Sequence, residues 1–504
     1  IQRIDMACLL AIVLITLVAV RFVWTDTLGA YSDDSVSYVI MAQAMSPYFD
    51  TSAVIVEAAT LERYPPLFSL VLALSGVSHS YLASHIMVAL TLGAVLVLFY
   101  LFSIQLLDNR LLAFMLTLLF ALTPSVWLNL LGILSENLYL ALSLYFLLVF
   151  VKNEPTDNKP LNHQLENAQY YLFSALLSLV MLSRTLGISL VAAYATHYII
   201  THKHVRSLVN WRFLLPVLAP LLAAVSWSWL HDSTSQDLYA TDVNSLFTRI
   251  FQSDAPLKYI ADTIAPQVIS INMTWATSFL LYWTDEFQAT YIIVALFGVC
   301  VLAGIGLRLK ENRLDAWYVV FYLSILIIWP YPDQFTRFIY AILPLLMVYG
   351  IYFIKWFVSR WAADRSVWGS AVALLFLFVS VAPASAFIFG RANYVTPYAN
   401  MDFSYVTPFY NIPNIDTALR VAYRHEHLRQ DLALIRTSTQ ESDIIMWYTP
   451  NYIRLISNRK AVRFPSRKSK REFLRGILES QAGYVFASAL NPRYTAESFD
   501  GLQA

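Results

Sequence analysis

The sequence predicts a polytopic α-helical membrane protein of about eleven transmembrane helices, carrying a soluble α/β domain at its C-terminus. Three observations lead there. Of the 504 residues, 58% are hydrophobic and 13% charged, whereas ordinary soluble domains carry about 25% charged residues. Eleven apolar stretches approach the roughly 20 residues that a helix needs to cross the hydrocarbon core. After about residue 390 charges become frequent and apolar runs shrink to strand length.

The eleven stretches run over about 5–25, 81–106, 110–127, 131–151, 169–184, 186–201, 212–231, 288–308, 314–330, 338–358 and 366–389. The first, from Met6 to Trp24, exceeds a signal-peptide core and no small-residue cleavage site follows, so it reads as a retained anchor. The fifth and sixth are short and broken by charge at Ser183-Arg184. Aromatic residues reach 15% of the chain, and interfacial belts of Trp and Tyr account for part of that excess. The division expected is a membrane module over 1–389 and a soluble domain over 390–504. In the latter, Ile444–Tyr448 and Ala461–Phe464 read as short strands around a turn, and Ile415–Leu434 as an amphipathic helix.

Charge and cysteine content narrow the class. A formal net charge of +1 argues for no nucleic-acid partner. The two cysteines, Cys8 and Cys300, both lie in apolar stretches, which excludes a disulfide framework. With the N-terminus inside, thirteen Lys and Arg fall in inner loops and five or six at the opposite face. That bias favours this orientation, and an odd number of spans then places the C-terminal domain outside, on a periplasmic or lumenal face. Two outer segments are long and acidic, 26–80 and 232–287, which suggests that chemistry happens there.

Several residues stand out as candidates. Asp33 and Asp34 sit side by side just beyond the first stretch, ahead of a helical run to Met45 that Ser32 or Asp33 would cap. They read either as a solvated helix start or as a general base at the membrane surface. In Glu62-Arg63-Tyr64-Pro65-Pro66-Leu67 the two prolines set an extended entry into a short apolar run to Val77, too short to span. Arg63 there suits a lipid phosphate or simple interfacial snorkelling. Glu136 and Arg184 are ionisable residues at membrane depth, where charge is costly and marks function by default. The alternative is a structural ion pair, for instance with one another. Arg337, after Trp329-Pro330-Tyr331-Pro332-Asp333-Gln334, offers a guanidinium fork at headgroup level. His79, His85 and His231 lack ligand spacing, so no metal is assigned. The basic cluster Arg459, Lys460, Arg463, Arg467, Lys468, Lys470 and Arg471 reads as a solvated face or a contact for anionic lipid.

In this order the elements resemble the GT-C superfamily of membrane glycosyltransferases, nearest to the lipid A aminoarabinose transferases and the protein O-mannosyltransferases. Those families place an acidic pair in the first outer loop with a Tyr four residues after the first acid; here Asp34, Tyr38 and Ala42-Gln43-Ala44-Met45 match. Pro65-Pro66-Leu67 matches a Pro-Pro-Leu element, Ser135-Glu136 an acidic element, Arg184-Thr185-Leu186-Gly187 a basic-x-x-Gly element, and Arg337-Phe338 through Pro344 an Arg-Tyr-x-x-Pro turn. Ser35 stands where the second acid is usual, and Tyr64 where Lys or His often precedes the prolines.

The resemblance implies an inverting transfer of sugar from a polyprenyl-phosphate donor to a lipid, glycan or protein acceptor among membrane lipids. Asp34 would be the base, with Asp33 as its substitute partner and Glu136 either orienting the acceptor or tuning Asp34. Arg63, Arg184 and Arg337 would hold the donor phosphate. Tyr38, Tyr64 and Gln334 would line the substrate. A divalent cation is the one cofactor left open, and a bacterial inner membrane, with the site on its periplasmic face, is the expected location. The rival readings are a transporter or flippase of a lipid-linked glycan, against which no internal repeat is evident, and a non-catalytic assembly subunit.

Overall fold

The structure, a computed structural model, describes residues 3–26, 28, 32–153, 163–202, 210–230, 248, 255–279, 288–329, 331, 334–362, 365–395, 428, 430–447, 449–464 and 470–486. A helix lies along every one of the eleven apolar stretches: Arg3–Phe22, Tyr81–Leu107, Arg110–Leu122, Glu136–Asn153, His163–Ser183, Ile188–His202, Trp211–Leu230, Gln288–Lys310, Leu314–Ile328, Leu343–Ser359 and Ser366–Val395. Among the described residues, four helices are long and apolar enough to cross a membrane by length and composition: Arg3–Phe22, Tyr81–Leu107, Trp211–Leu230 and Tyr291–Lys310. The fold is thus largely helical and membrane-associated, with several apolar helices and a small C-terminal sheet.

Prolines and charges decide where the helices stop. The stretch at 110–127 is two helices. Asn109 caps the first by accepting from Leu112 N at 2.9 Å, and Pro124 forces Thr123 into an extended conformation before opening the short Pro124–Asn129 helix. Arg184 is itself extended (φ −156°, ψ 142°), and the 3₁₀ turn Thr185–Gly187 follows it. The stretch at 338–358 likewise divides into Phe335–Tyr340 and Leu343–Ser359. Pro216 lies inside Trp211–Leu230 and has no N–H to give Arg212 O; the Tyr194 hydroxyl donates to that carbonyl instead, at 2.9 Å.

The segment at 232–287, expected as a loop, contains the 24-residue helix Pro256–Phe279. Its many polar residues hide it from a hydropathy reading, yet Trp275 packs on Phe279 and Phe297 and donates to Val294 O at 3.0 Å. Residues 231–247, 249–254 and 280–287, with His231 and most acids of that segment, lie outside the described residues.

Contacts divide the chain into two compact units. The first comprises Ile1–Phe22, Val88–Leu130 and Ser135–Arg391; the second comprises Val23–Met87, Leu131–Leu134 and Ala392–Ala504. In the first, helices Gln288–Lys310 and Leu343–Ser359 meet at two glycines. A Cβ on Gly304 would overlap the Tyr349 carbonyl, and one on Gly350 would overlap the Phe297 ring. Such close approach is what small residues permit between membrane helices. Gly304→Val is therefore expected to cost about 1–3 kcal/mol through overpacking, read as a lowered unfolding midpoint in detergent; an unchanged midpoint would refute the close contact. Beside this crossing, Arg308 forms a buried bidentate pair with Asp315 (both bonds 2.7 Å), and Tyr349 donates to the same carboxylate at 2.6 Å.

In the second unit the 26–80 segment folds into three helices, Ser32–Ala44, Ala53–Thr60 and Leu67–Leu74. Strands β1 (Ile444–Trp447), β2 (Lys460–Arg463) and β3 (Tyr484–Val485) form a parallel sheet of order β2-β1-β3, with Ile444 opposite Lys460 and Ile445 opposite Tyr484. The expected pair of strands is present, but parallel pairing requires a crossover in place of a tight turn. Helical residues Pro450–Ser457 supply it, and left-handed Asn458 (φ 52°) ends it. Of the expected amphipathic helix, 415–427 lies outside the described residues, while 430–438 is helical. Arg459, expected on a solvated basic face, is buried and donates to Thr439 Oγ1, Thr439 O and Arg436 O; Arg467 and Lys468 are not among the described residues.

Candidate active site

In the first unit, chain breaks bring three charged candidates together. Glu136 opens the Glu136–Asn153 helix, Arg184 occupies the extended break after Ser183, and Arg337 lies in the Phe335–Tyr340 helix. Arg184 NH1 and Arg337 NH2 approach Glu136 Oε1 at 2.5 and 2.6 Å, and Arg337 Nε donates to the same oxygen at 2.8 Å. The side chains are 9%, 8% and 1% exposed for Arg184, Arg337 and Glu136. The ion pair anticipated between Glu136 and Arg184 is present, with Arg337 as a third member.

Aromatic groups that sequence reasoning did not single out surround this cluster. Arg184 lies over the Phe338 ring at 5.3 Å. Tyr322 donates to Phe338 O at 2.9 Å, Tyr139 and Tyr318 hydroxyls meet at 2.9 Å, and Tyr340 donates to Asn137 Oδ1. Buried hydroxyls of this kind must find partners, so these tyrosines fix the helices that carry the three charges. Their only sequence signal is polar-tipped aromatics within apolar stretches. Gln334 is half-buried at the residue preceding the Arg337 helix and makes no side-chain capping bond. Pro330, Pro332 and Asp333 are outside the described residues.

In the second unit, the 26–80 segment assembles the other candidates. Pro65-Pro66 turns the chain so that Tyr64 returns to the Ser32–Ala44 helix, where its hydroxyl donates to Asp34 Oδ1 at 2.6 Å. Tyr38, one helical turn beyond Asp34, packs its ring 5.1 Å from both Tyr64 and Phe68. Ser69 Oγ donates to Tyr38 O at 2.9 Å. Ser35 is buried and its hydroxyl accepts from Ile133 N at 3.1 Å, a packing role in which a carboxylate would lie deep inside the unit. Asp33 is in the first turn of the helix, and its side chain is outside the described set. Arg63 is exposed.

Glu62 is the carboxylate that sequence reasoning passed over as one acid among several in the segment. It is 7% exposed, accepts from Asn451 Nδ2 at 2.5 Å, and feels both Asp34 and Arg454. Burial raises its carboxyl above the ordinary 4.5 and Asp34 adds to the rise, while Ser37, Asn451 and Arg454 pull the other way. A carboxyl whose folded value exceeds its unfolded one binds more proton when folded, so stability falls as pH rises from the unfolded value through the folded one. Glu62→Gln carries no such charge. Its unfolding midpoint is expected to decline less than that of wild type as pH rises from about 4.5, measured by thermal unfolding in detergent; parallel declines would contradict the assignment.

Among the described residues, no group of three His, Cys, Asp or Glu is placed to hold a metal ion. Asp34 Oδ1 and Glu62 Oε1 already accept from Tyr64 and Asn451. A divalent cation is therefore assigned no ligands among the described residues.

No family model matches the chain, and no curated protein sequence matches it. Solved structures do. The Archaeoglobus fulgidus oligosaccharyltransferase tethered by a disulfide to an acceptor peptide containing the NVT sequon superposes with a TM-score of 0.53 at 13% identity, over 95% of this chain and 68% of that one. The archaeal oligosaccharyltransferase AglB of the same organism, in complex with an inhibitory peptide and a dolichol-phosphate, gives 0.50 at 12%, over 92% and 65%. The apo form gives 0.51 at 12%, over 91% and 64%. The chain thus spans about two thirds of the length of these relatives. At such identity the likeness shows a shared fold and no more.

Proposed function

We propose that the chain is an inverting glycosyltransferase, moving a sugar from a polyprenyl-phosphate carrier to an acceptor hydroxyl at the outer face of its membrane. The observation that carries this reading is the assembly of Asp34, Tyr64 and Tyr38 from separate parts of the 26–80 segment. The shared fold supports it, because AglB has been captured with a dolichol-phosphate and an oligosaccharyltransferase with an acceptor peptide.

In the proposed step, Asp34 takes the proton of the acceptor hydroxyl while that oxygen attacks the anomeric carbon. The bond from that carbon to the phosphate oxygen breaks with inversion, and polyprenyl phosphate leaves with the electron pair. Tyr64 donates to one Asp34 oxygen and so fixes the orientation of the carboxylate. Arg63, Arg184 and Arg337 are the candidates for the donor phosphate, since guanidinium forks match phosphate oxygens; Glu136 already gathers two of them. Tyr38 and Gln334 are proposed to line the substrate. The membrane expected is a bacterial inner membrane with the site and the C-terminal domain on the periplasmic face, and the acceptor is a lipid, glycan or protein.

The test uses purified protein in nanodiscs with a panel of polyprenyl-phosphate sugars, following release of free polyprenyl phosphate by mass spectrometry. Release by wild type and not by Asp34→Asn is expected. No release from any donor, with a crude membrane extract supplied as acceptor, would overturn the enzyme reading in favour of a transporter.

A further inference from the structure

The second unit joins pieces of chain nearly 400 residues apart, and the joints concentrate on the segment that carries Asp34. Asn451, at the start of the β1–β2 crossover, directs its amide nitrogen to Glu62 Oε1 at 2.5 Å and to Ser37 Oγ at 3.3 Å. Ser37 is one helical turn after Asp34, on the same face. Arg454 donates to Asn451 Oδ1 at 2.8 Å and, through its other nitrogen, to Ala461 O of β2 at 2.7 Å. The Asn451 amide is thereby fixed at both ends, with its orientation tied to the sheet. A second joint links Ser52, the cap of the Ala53–Thr60 helix, to Asn458 Oδ1 at 2.6 Å. The exposed pair Lys460–Glu57, at 3.4 Å, adds little by comparison.

We infer that the C-terminal domain is a positioning element of the candidate active site: Asn451, braced by Arg454, holds the Glu62 carboxyl against the helix that bears Asp34. This rests on the reaction proposed above and extends it to a domain to which the sequence assigned no role. Glu62 immediately precedes Arg63-Tyr64, so fixing its carboxyl also fixes the turn that delivers the Tyr64 hydroxyl to Asp34. The charged groups facing Glu62 are Asp34 from the Ser32–Ala44 helix and Arg454 from the crossover, with Glu57 of the neighbouring helix facing Arg454 in turn. Asn451 and Arg454 are positioning residues, since each acts on Asp34 through Glu62.

The test compares the full-length protein with Asn451→Leu, Glu62→Leu and the double variant in the donor-release assay. Asn451→Leu is expected to lower kcat roughly ten- to hundredfold, the worth of a hydrogen bond to a charged group, with little change in donor KM. It is also expected to displace the acidic limb of the kcat/KM profile, which a merely structural loss would leave in place. The double variant should be no worse than the more damaging single one, because both break the same link. An unchanged kcat and limb in Asn451→Leu, with wild type active, overturns the proposal and leaves the reaction reading intact. Amide exchange followed by mass spectrometry separates the two when wild type releases nothing. Faster exchange over 32–44 and 61–66 in Asn451→Leu then upholds the positioning contact while the reaction reading falls. Unchanged exchange overturns the positioning as well.

Discussion

Asp34→Asn is expected to reduce donor turnover by about 10²- to 10⁴-fold, the range typical of a lost general base. The substitution is nearly isosteric, and the Asn carbonyl still accepts from the Tyr64 hydroxyl, so the 26–80 segment keeps its shape. The fall should therefore appear in kcat, with donor affinity and unfolding midpoint near those of wild type. Tyr64→Phe keeps the carboxylate and removes only its orientation; a smaller loss, on the order of tenfold, is expected. The order of these effects matters more than their size. If Asp34→Asn retained most of the turnover, or if Tyr64→Phe were the more damaging change, Asp34 would not be the base.

The largest effect on stability is expected at Glu136. Removing one partner of a buried pair strands the other charge and costs about 3–5 kcal/mol, and here one carboxylate oxygen serves two guanidinium groups. Glu136→Gln should lower the unfolding midpoint well below that of either single arginine variant. Adding Arg337→Gln to Glu136→Gln should recover part of the loss, which a double-mutant cycle measures as a coupling energy. A wild-type midpoint for Glu136→Gln would show that the cluster contributes nothing to stability.

How far the sequence shows this architecture depends on the range of the interaction that makes each part. Apolar length marked all eleven long stretches, and single residues marked the interruptions: Pro124 after Thr123 and the extended Arg184 are local effects with local signals. The Pro256–Phe279 helix was missed because its polar residues suppress the hydropathy on which the reading relied. Asp34, Tyr38 and Tyr64 could be singled out by motif order, but the return of Tyr64 to Asp34 could not be expected, because Pro65-Pro66 signalled only an extended entry into the next helix. Glu62 could not be told from other acids of its segment, because its distinction is burial against Asn451, a partner 389 residues away. The parallel pairing of β1 and β2 was likewise invisible, since short apolar runs carry no sign of direction.

The composition of the second unit also bears on how the chain is made. Its 23–87 portion leaves the ribosome roughly 350 residues before β1, a delay of roughly 20–70 s at ordinary elongation rates of about 5–20 residues per second. Through that interval the nascent Ser32–Ala44 helix must wait without Asn451 to cover Glu62. Lesions near the 3′ end of the reading frame are accordingly expected to strike the earliest-made part of this unit, appearing as proteolysis within 26–80 of molecules whose apolar helices have already inserted.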